Sequence, residues 1–182
     1  MKKILLSKDT PIHCLVPSEA IMLDDHIEGY FSNGINLKEG DVVVDVGANI
    51  GVLGIRLSKK FKKIQLHCFE PIPNIFQVLE KNSTLSNNPF FKVYENGLGE
   101  KIEKKEFTYF PNSPALSTAE PEIWKKEKKS LVNAVKGSIK NAPKKFWWAK
   151  LIPSFLAPLF TKYLTSNSKK FICNIITLSD FI

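Results

Sequence analysis

Asp41-Val42-Val43-Val44-Asp45-Val46-Gly47-Ala48-Asn49-Ile50-Gly51 is the stretch on which the fold turns. Its first half is a β-branched run without strict apolar–polar alternation, the pattern of a strand buried on both faces inside a parallel sheet. Two glycines bracket the turn that follows. Val52, Leu53, Ile55, Leu57 and Phe61 then recur at helical spacing, and the pattern closes on Lys59, Lys60, Lys62 and Lys63, cations suited to the negative end of a helix. A second apolar run, Ile64 to Phe69, ends in Glu70-Pro71, and Pro73 opens another helical pattern through Ile75, Phe76, Leu79 and Leu85. Phe90 to Tyr94 reads as a third strand, Lys105 to Phe110 as a fourth and Phe171 to Ile176 as a further one. Strand-helix-strand order with right-handed crossovers predicts an α/β fold in which the first three strands are neighbours. Upstream, Ala20, Leu23, Ile27, Tyr30 and Phe31 predict an amphipathic helix, with Ser18 placed to cap it and Gly34 to end it.

A strand, a glycine turn and a helix form a phosphate-loop shape, but no Gly-Lys-Ser/Thr follows, which argues against a nucleoside triphosphate site. The dinucleotide fingerprint asks for Gly-x-Gly-x-x-Gly, and Asn49 stands where its second glycine would let a backbone approach a pyrophosphate. Two carboxylates are the additional features. Asp45 precedes Gly47 by two positions, and Glu70 ends the second strand 19 residues after Gly51, which suits an acceptor for both hydroxyls of an adenosine ribose.

With Asp45-Val46-Gly47-Ala48-Asn49-Ile50-Gly51, Phe69-Glu70-Pro71-Ile72-Pro73 and Asn96-Gly97-Leu98-Gly99 in view, the chain resembles the class I S-adenosylmethionine-dependent methyltransferases of the FkbM type. The resemblance runs from about Asp24 to Thr118, including Asn112-Ser113-Pro114-Ala115-Leu116-Ser117-Thr118, and resumes at Thr177-Leu178-Ser179-Asp180-Phe181-Ile182. It implies a Rossmann-like, doubly wound methyltransferase sheet with S-adenosylmethionine as cofactor. Gly47, Asn49 and Gly51 would shape the loop beside the methionine half, Asp45 would hold that loop and face the cofactor's amino group, Glu70 would bind the ribose, and Asn96 would contact the adenine. The implied reaction is transfer of a methyl group to a hydroxyl of a small metabolite, sugar or assembly-line intermediate, free or carrier-bound. Members of that family continue past the Thr177–Ile182 element into a further strand that lines the acceptor site, so the sheet is expected to be incomplete at the C-terminus. No catalytic base is assigned: His26 falls in the first helix, His67 inside the second strand, and His13 has no partner nearby in sequence. Two other readings stand beside this one, a remnant that binds cofactor weakly or acts by association, and a nicotinamide-linked oxidoreductase, which Asn49 disfavours.

Composition sets the remaining bounds. The 182 residues, 43% hydrophobic and 24% charged, suffice for one globular domain with a core and exclude a disordered or coiled-coil chain. No apolar run reaches the ~18 residues of a membrane span, and Met1 to Leu6 meets Ser7-Lys8-Asp9 too soon for a signal-peptide core, so the expected location is cytoplasmic. Cys14, Cys68 and Cys173 are too far apart to suggest a disulfide framework or a zinc site and read as buried thiols. The net charge of +8 is concentrated: residues 124–165 hold ten lysines against Glu127, whereas the other 140 residues carry 16 basic and 17 acidic groups. The same segment contains Trp124, Trp147 and Trp148, the whole tryptophan complement. It reads as a helical insertion that packs as a lid, or that meets a membrane surface or an acidic partner; nucleic acid is disfavoured because no base-reading module accompanies it. Pro153 and Pro158 preclude one long helix there. The organisation expected is an N-terminal cover (1–34), a cofactor-binding core (35–123), the basic insertion (124–165) and a return strand (166–182), and an open sheet edge would favour association between copies.

Overall fold

The computed structural model describes residues 1–30, 35–122, 128–140, 146–147 and 151–181. The chain divides into two compact units, one of residues 1–106 and 171–182, the other of residues 107–170.

The first unit opens with an antiparallel hairpin, β1 (Lys2–Leu6) and β2 (Thr10–Cys14), with Lys2 opposite Cys14 and Leu6 opposite Thr10. Helix α1 (Pro17–Tyr30) follows. It begins at Pro17, a residue whose fixed φ and missing N–H suit a first turn, so Ser18 lies inside that turn and is not its cap. Ala20, Asp24 and Ile27 are its buried positions, while Phe31 and Gly34 fall outside the described residues. Next comes β3 (Val42–Val46), α2 (Val52–Lys60), β4 (Gln65–Phe69), α3 (Pro73–Leu85) and β5 (Phe91–Tyr94), forming a parallel sheet of order β3-β4-β5. Asp45 is registered with Cys68, Val46 with Phe69, and Phe69 with Tyr94. The mixed α/β arrangement is in keeping with the Rossmann-like expectation. β6 (Gly97–Leu98), β7 (Glu103–Tyr109) and β8 (Lys169–Ile176) form a further sheet of order β6-β8-β7, and a short helix, Leu178–Phe181, follows β8.

Register assigns the faces of the parallel sheet. Leu66, Cys68 and Phe91 are buried on the face covered by α2, where the Phe91 ring occupies the space a Cβ on Gly54 would need. Val43 and Asp45 share that face through their partners Leu66 and Cys68. On the other face Phe69 and Tyr94 stack with ring centroids 4.7 Å apart, and Phe181 meets both edge-on at 5.0 and 4.8 Å. β3 differs from expectation. Among the described residues it is an edge strand, and Val42, Val44 and Val46 on the Phe69 face are exposed. A run of β-branched residues identifies a strand but does not by itself bury both of its faces.

The second unit contains a turn closed by mutual Thr108–Thr118 backbone hydrogen bonds, then α4 (Lys128–Lys140) and α5 (Ala157–Leu164), which pack on each other. Leu131 and Val135 are buried positions of α4, and Ala157 and Thr161 of α5. Asn112 Nδ2 donates to the Tyr163 carbonyl at 3.0 Å and to Ser166 Oγ at 3.1 Å, tying the turn to the end of α5. Trp124, Glu127, Trp148 and the lysines at 125, 126, 144, 145 and 150 fall outside the described residues.

Candidate functional site

Parallel strands bring their carboxyl ends to one rim, the usual place for ligands in open α/β sheets. Here that rim carries the turn Gly47–Gly51, Glu70 directly after β4 and Asn96 just past β5. The turn is held in the left-handed region at three residues, Gly47 (φ 73°), Asn49 (φ 50°) and Gly51 (φ 80°). The two glycines serve different ends. A Cβ on Gly47 would meet nothing within 4 Å, so the backbone there faces open space, whereas one on Gly51 would come within 2.7 Å of Leu79 Cδ1 on α3. The backbone at Gly47 is left open, and Gly51 lets the helix start pack.

Every N–H of the turn is spoken for. Gly47 and Ala48 donate to the Phe69 carbonyl at 2.9 Å each, and Gly51 donates to Ala48 at 2.9 Å. Asn49 donates its backbone N–H to Glu70 Oε2 at 3.1 Å, and Ile50 donates to Asn49 Oδ1 at 2.8 Å. The asparagine thus supplies both the left-handed conformation, which it tolerates better than most residues, and the acceptor for the next amide. A phosphate-binding turn points unpaired N–H groups at its anion. This turn has none among its five residues.

The groups it does offer are carboxylates. Glu70 is buried, with Oε1 accepting from Ile72 N–H at 3.0 Å and Oε2 from Asn49, so it clamps the glycine turn to the start of α3. A carboxylate has about four lone-pair sites, so roughly two stay available to a ligand's hydroxyls. Burial pushes its acid up to about 7, against the opposing pull of the two backbone N–H groups, and Asp45 adds to the rise. Asp45, half-buried beneath the helix-covered face, is pushed up to about 6 by desolvation. Two acids raised by burial, with no cation among the causes that act on them in the described residues, make a site that suits a cation or a set of hydroxyl donors. Asn96 is half-buried beyond the strand end.

The histidines stand apart from this arrangement. His26 is exposed on α1. His67 is a sheet residue whose Nδ1 lies 3.0 Å from Tyr94 Oη, with Phe181 edge-on to its ring. His13 is held in β2 by its backbone, which exchanges two hydrogen bonds with the Asn82 side chain.

Two supports of the site lie beyond what sequence reading identified. Asn82 on α3 is fully buried; its Oδ1 accepts from His13 N–H at 2.8 Å, while its Nδ2 donates to the His13 carbonyl at 2.9 Å and the Ile50 carbonyl at 2.7 Å. It therefore pins the glycine turn to the N-terminal hairpin. Asp24 on α1 accepts from Arg56 Nε on α2 at 2.6 Å and from Ser7 N–H and Oγ at 3.0 and 2.6 Å, and Arg56 also reaches Ser7 Oγ. An isolated Asn or Asp in a helical pattern carries no signal of partners 32 or 69 positions away.

No protein-family model matches the chain. Among curated proteins it is similar to methyltransferase sdnD of Sordaria araneosa, 35% identical over 88 residues that make up 48% of this chain and 34% of that protein. Similarity to the 31-O-demethyl-FK506 methyltransferase FkbM of Streptomyces tacrolimicus is 29% over 93 residues, 51% of this chain and 35% of that protein. Methyltransferase 1 of Beauveria bassiana is 30% identical over 76 residues, 42% of this chain and 30% of that protein. The matched part thus spans about a third of the length of each of these relatives. These likenesses agree with the resemblance that the glycine turn and the Phe69-Glu70-Pro71 triplet carry: over about half of its length the chain is similar to proteins named as methyltransferases, one of them FkbM.

Proposed function

We propose that the chain is an S-adenosylmethionine-dependent O-methyltransferase of the FkbM type, acting in the cytoplasm on a hydroxyl of a small or carrier-bound molecule. The observation that carries this reading is the complete internal pairing of the Gly47–Gly51 amides beside two carboxylates raised by burial. That arrangement suits a ligand bearing an ammonium, a sulfonium and ribose hydroxyls, and it opposes a pyrophosphate, which disfavours the nicotinamide alternative. The names of the relatives support the transferase chemistry, and the three cysteines, all buried free thiols, accord with a reducing compartment.

The roles are those that the resemblance implies. Glu70 accepts hydrogen bonds from the ribose hydroxyls through its free lone pairs while its other two sites hold the turn. Asp45 faces the amino group, directly or through water. Gly47 leaves the backbone open for the methionine half, Asn49 and Gly51 keep the turn in its left-handed course, and Asn96 meets the adenine edge. When bound, S-adenosylmethionine supplies a methyl carbon already activated by its sulfonium. What remains for the chain is to align an acceptor oxygen in line with that carbon and to exclude water around it. The competing reading of a cofactor-binding remnant would share the same Glu70 site and lack turnover.

Calorimetric titration of the full chain with S-adenosylhomocysteine tests the proposal. Saturable binding is expected, lost or weakened at least tenfold in Glu70→Ala, with far-UV circular dichroism showing both proteins folded. A folded chain that binds no S-adenosylhomocysteine, or binds it equally well without Glu70, overturns the assignment.

A further inference from the structure

Helix α5 buries the wrong residues for a helix that serves only its own core. Its inward positions are the small Ala157 and the hydroxyl-bearing Thr161, whose Oγ1 is satisfied by the Ala157 carbonyl at 2.8 Å. Positions two residues away lie about 200° round the helix, so Leu159 and Tyr163 point outward, opposite to Ala157 and Thr161. Leu159 is 67% and Tyr163 59% exposed, and Phe160 stacks against Tyr163 with centroids 6.4 Å apart. Before the helix, Phe155 is 76% and Leu151 70% exposed. Leu159, Phe160 and Tyr163 on α5, with Phe155 and Leu151 in the turns before it, thus leave large apolar side chains in water, with Lys162 exposed alongside. A concentration of exposed large apolar side chains in so short a stretch signals a partner.

The charge says which partner. Residues 124–165 hold ten lysines and one acid, whereas the rest of the chain is nearly neutral. A second copy would set two such positive segments against each other, so self-association through these side chains is opposed by repulsion. A surface that is apolar and negatively charged at once, with room for aromatic rings at the boundary between headgroups and acyl chains, satisfies both features. Among the described residues no helix is long and apolar enough to cross a membrane, and the short helix α5, with Pro158 in its first turn and Pro153 before it, suits an element lying along a surface. We infer that the exposed apolar side chains of residues 151–163 dock this protein onto an anionic lipid bilayer, inserted at the interface, with Lys162 and the positive charge of the same segment drawn to the headgroups. The inference does not depend on the methyltransferase reading.

All three tryptophans lie in residues 124–165, so intrinsic fluorescence reads this segment alone. The full chain is to be floated with vesicles of phosphatidylcholine and with vesicles of phosphatidylcholine doped with phosphatidylglycerol. Expected are flotation with the anionic vesicles, a blue shift of tryptophan emission on adding them, and affinity at least roughly tenfold lower at high salt or on neutral vesicles. The double variant Phe155→Ser/Leu159→Ser, both positions being exposed, is expected to keep the far-UV dichroism and urea midpoint of the parent and to lose flotation. Failure of the parent to float at low salt overturns the inference. So does undiminished flotation of the folded double variant, which would make the attraction one of bulk charge, and so does a dimer by light scattering that the same variant dissociates while neither protein binds vesicles.

Discussion

At Glu70 the demands of folding and of binding pull in opposite directions. Burial raises its acid from an ordinary 4.5 to about 7, so between those values the folded chain holds a proton that the unfolded chain has released. Stability therefore falls as pH rises through this window, by on the order of 3 kcal/mol from Glu70 alone. A ribose needs the ionised carboxylate, so ligand affinity should move the other way. We expect the free protein's thermal midpoint to be lower at pH 8 than at pH 6, while S-adenosylhomocysteine binds roughly tenfold more tightly at pH 8, as the ionised fraction of Glu70 grows. Calorimetry across that range checks it, and a pH-independent affinity would remove Glu70 from the ligand. Asn82 makes a different kind of prediction, because its three hydrogen bonds serve buried backbone groups of two elements. Asn82→Ala should cost about 2–4 kcal/mol by urea unfolding, since it leaves the His13 and Ile50 carbonyls without their donor; a loss below 1 kcal/mol would mean water replaces the amide.

At the scale of elements, the βαβ order was legible because each step rests on short-range chemistry. Pro73 opens α3, the lysines close α2, and β4, β5, β7 and β8 fall within a few residues of the apolar runs that announced them. The hairpin β1–β2 was not read, because Ile4-Leu5-Leu6 breaks the alternation and Pro11 sits inside β2, opposite Leu5. The exposed valines of β3 were hidden for the converse reason: a strand's composition does not reveal what covers it. Gly54 shows the same limit, since it reads as an unremarkable helical glycine until Phe91 of β5 is seen against it. Gly54→Ala gains helix propensity of about 1 kcal/mol but forces a methyl into that ring. We expect net destabilisation of about 1–3 kcal/mol, recovered in large part by Phe91→Leu in a double-mutant cycle. If Gly54→Ala were neutral or stabilising, the close approach of α2 to β5 would not be a packing constraint.

For the whole molecule, the distribution of charge and the division into two units coincide. The carboxylate site belongs to the unit built from residues 1–106 and 171–182, and the basic, aromatic segment lies wholly within residues 107–170. The two patterns were legible to different degrees: the lysines and tryptophans stand out by count, but only the structure turns Ala157 and Thr161 inward and leaves Phe155 and Leu159 in water. Two activities housed in two units should be separable. Glu70→Gln keeps the volume of the side chain but replaces one carboxylate oxygen by a donor, so it should lose S-adenosylhomocysteine binding at least tenfold and leave vesicle flotation unchanged. Phe155→Ser/Leu159→Ser should do the reverse. Adding saturating S-adenosylhomocysteine to the parent protein should accordingly leave its vesicle affinity within about twofold, because reciprocity requires that a ligand without effect on lipid binding is itself unaffected by lipid. A larger change in either direction, read by flotation with and without the ligand, would mean that the two units communicate and that cofactor binding is coupled to the surface on which the protein sits.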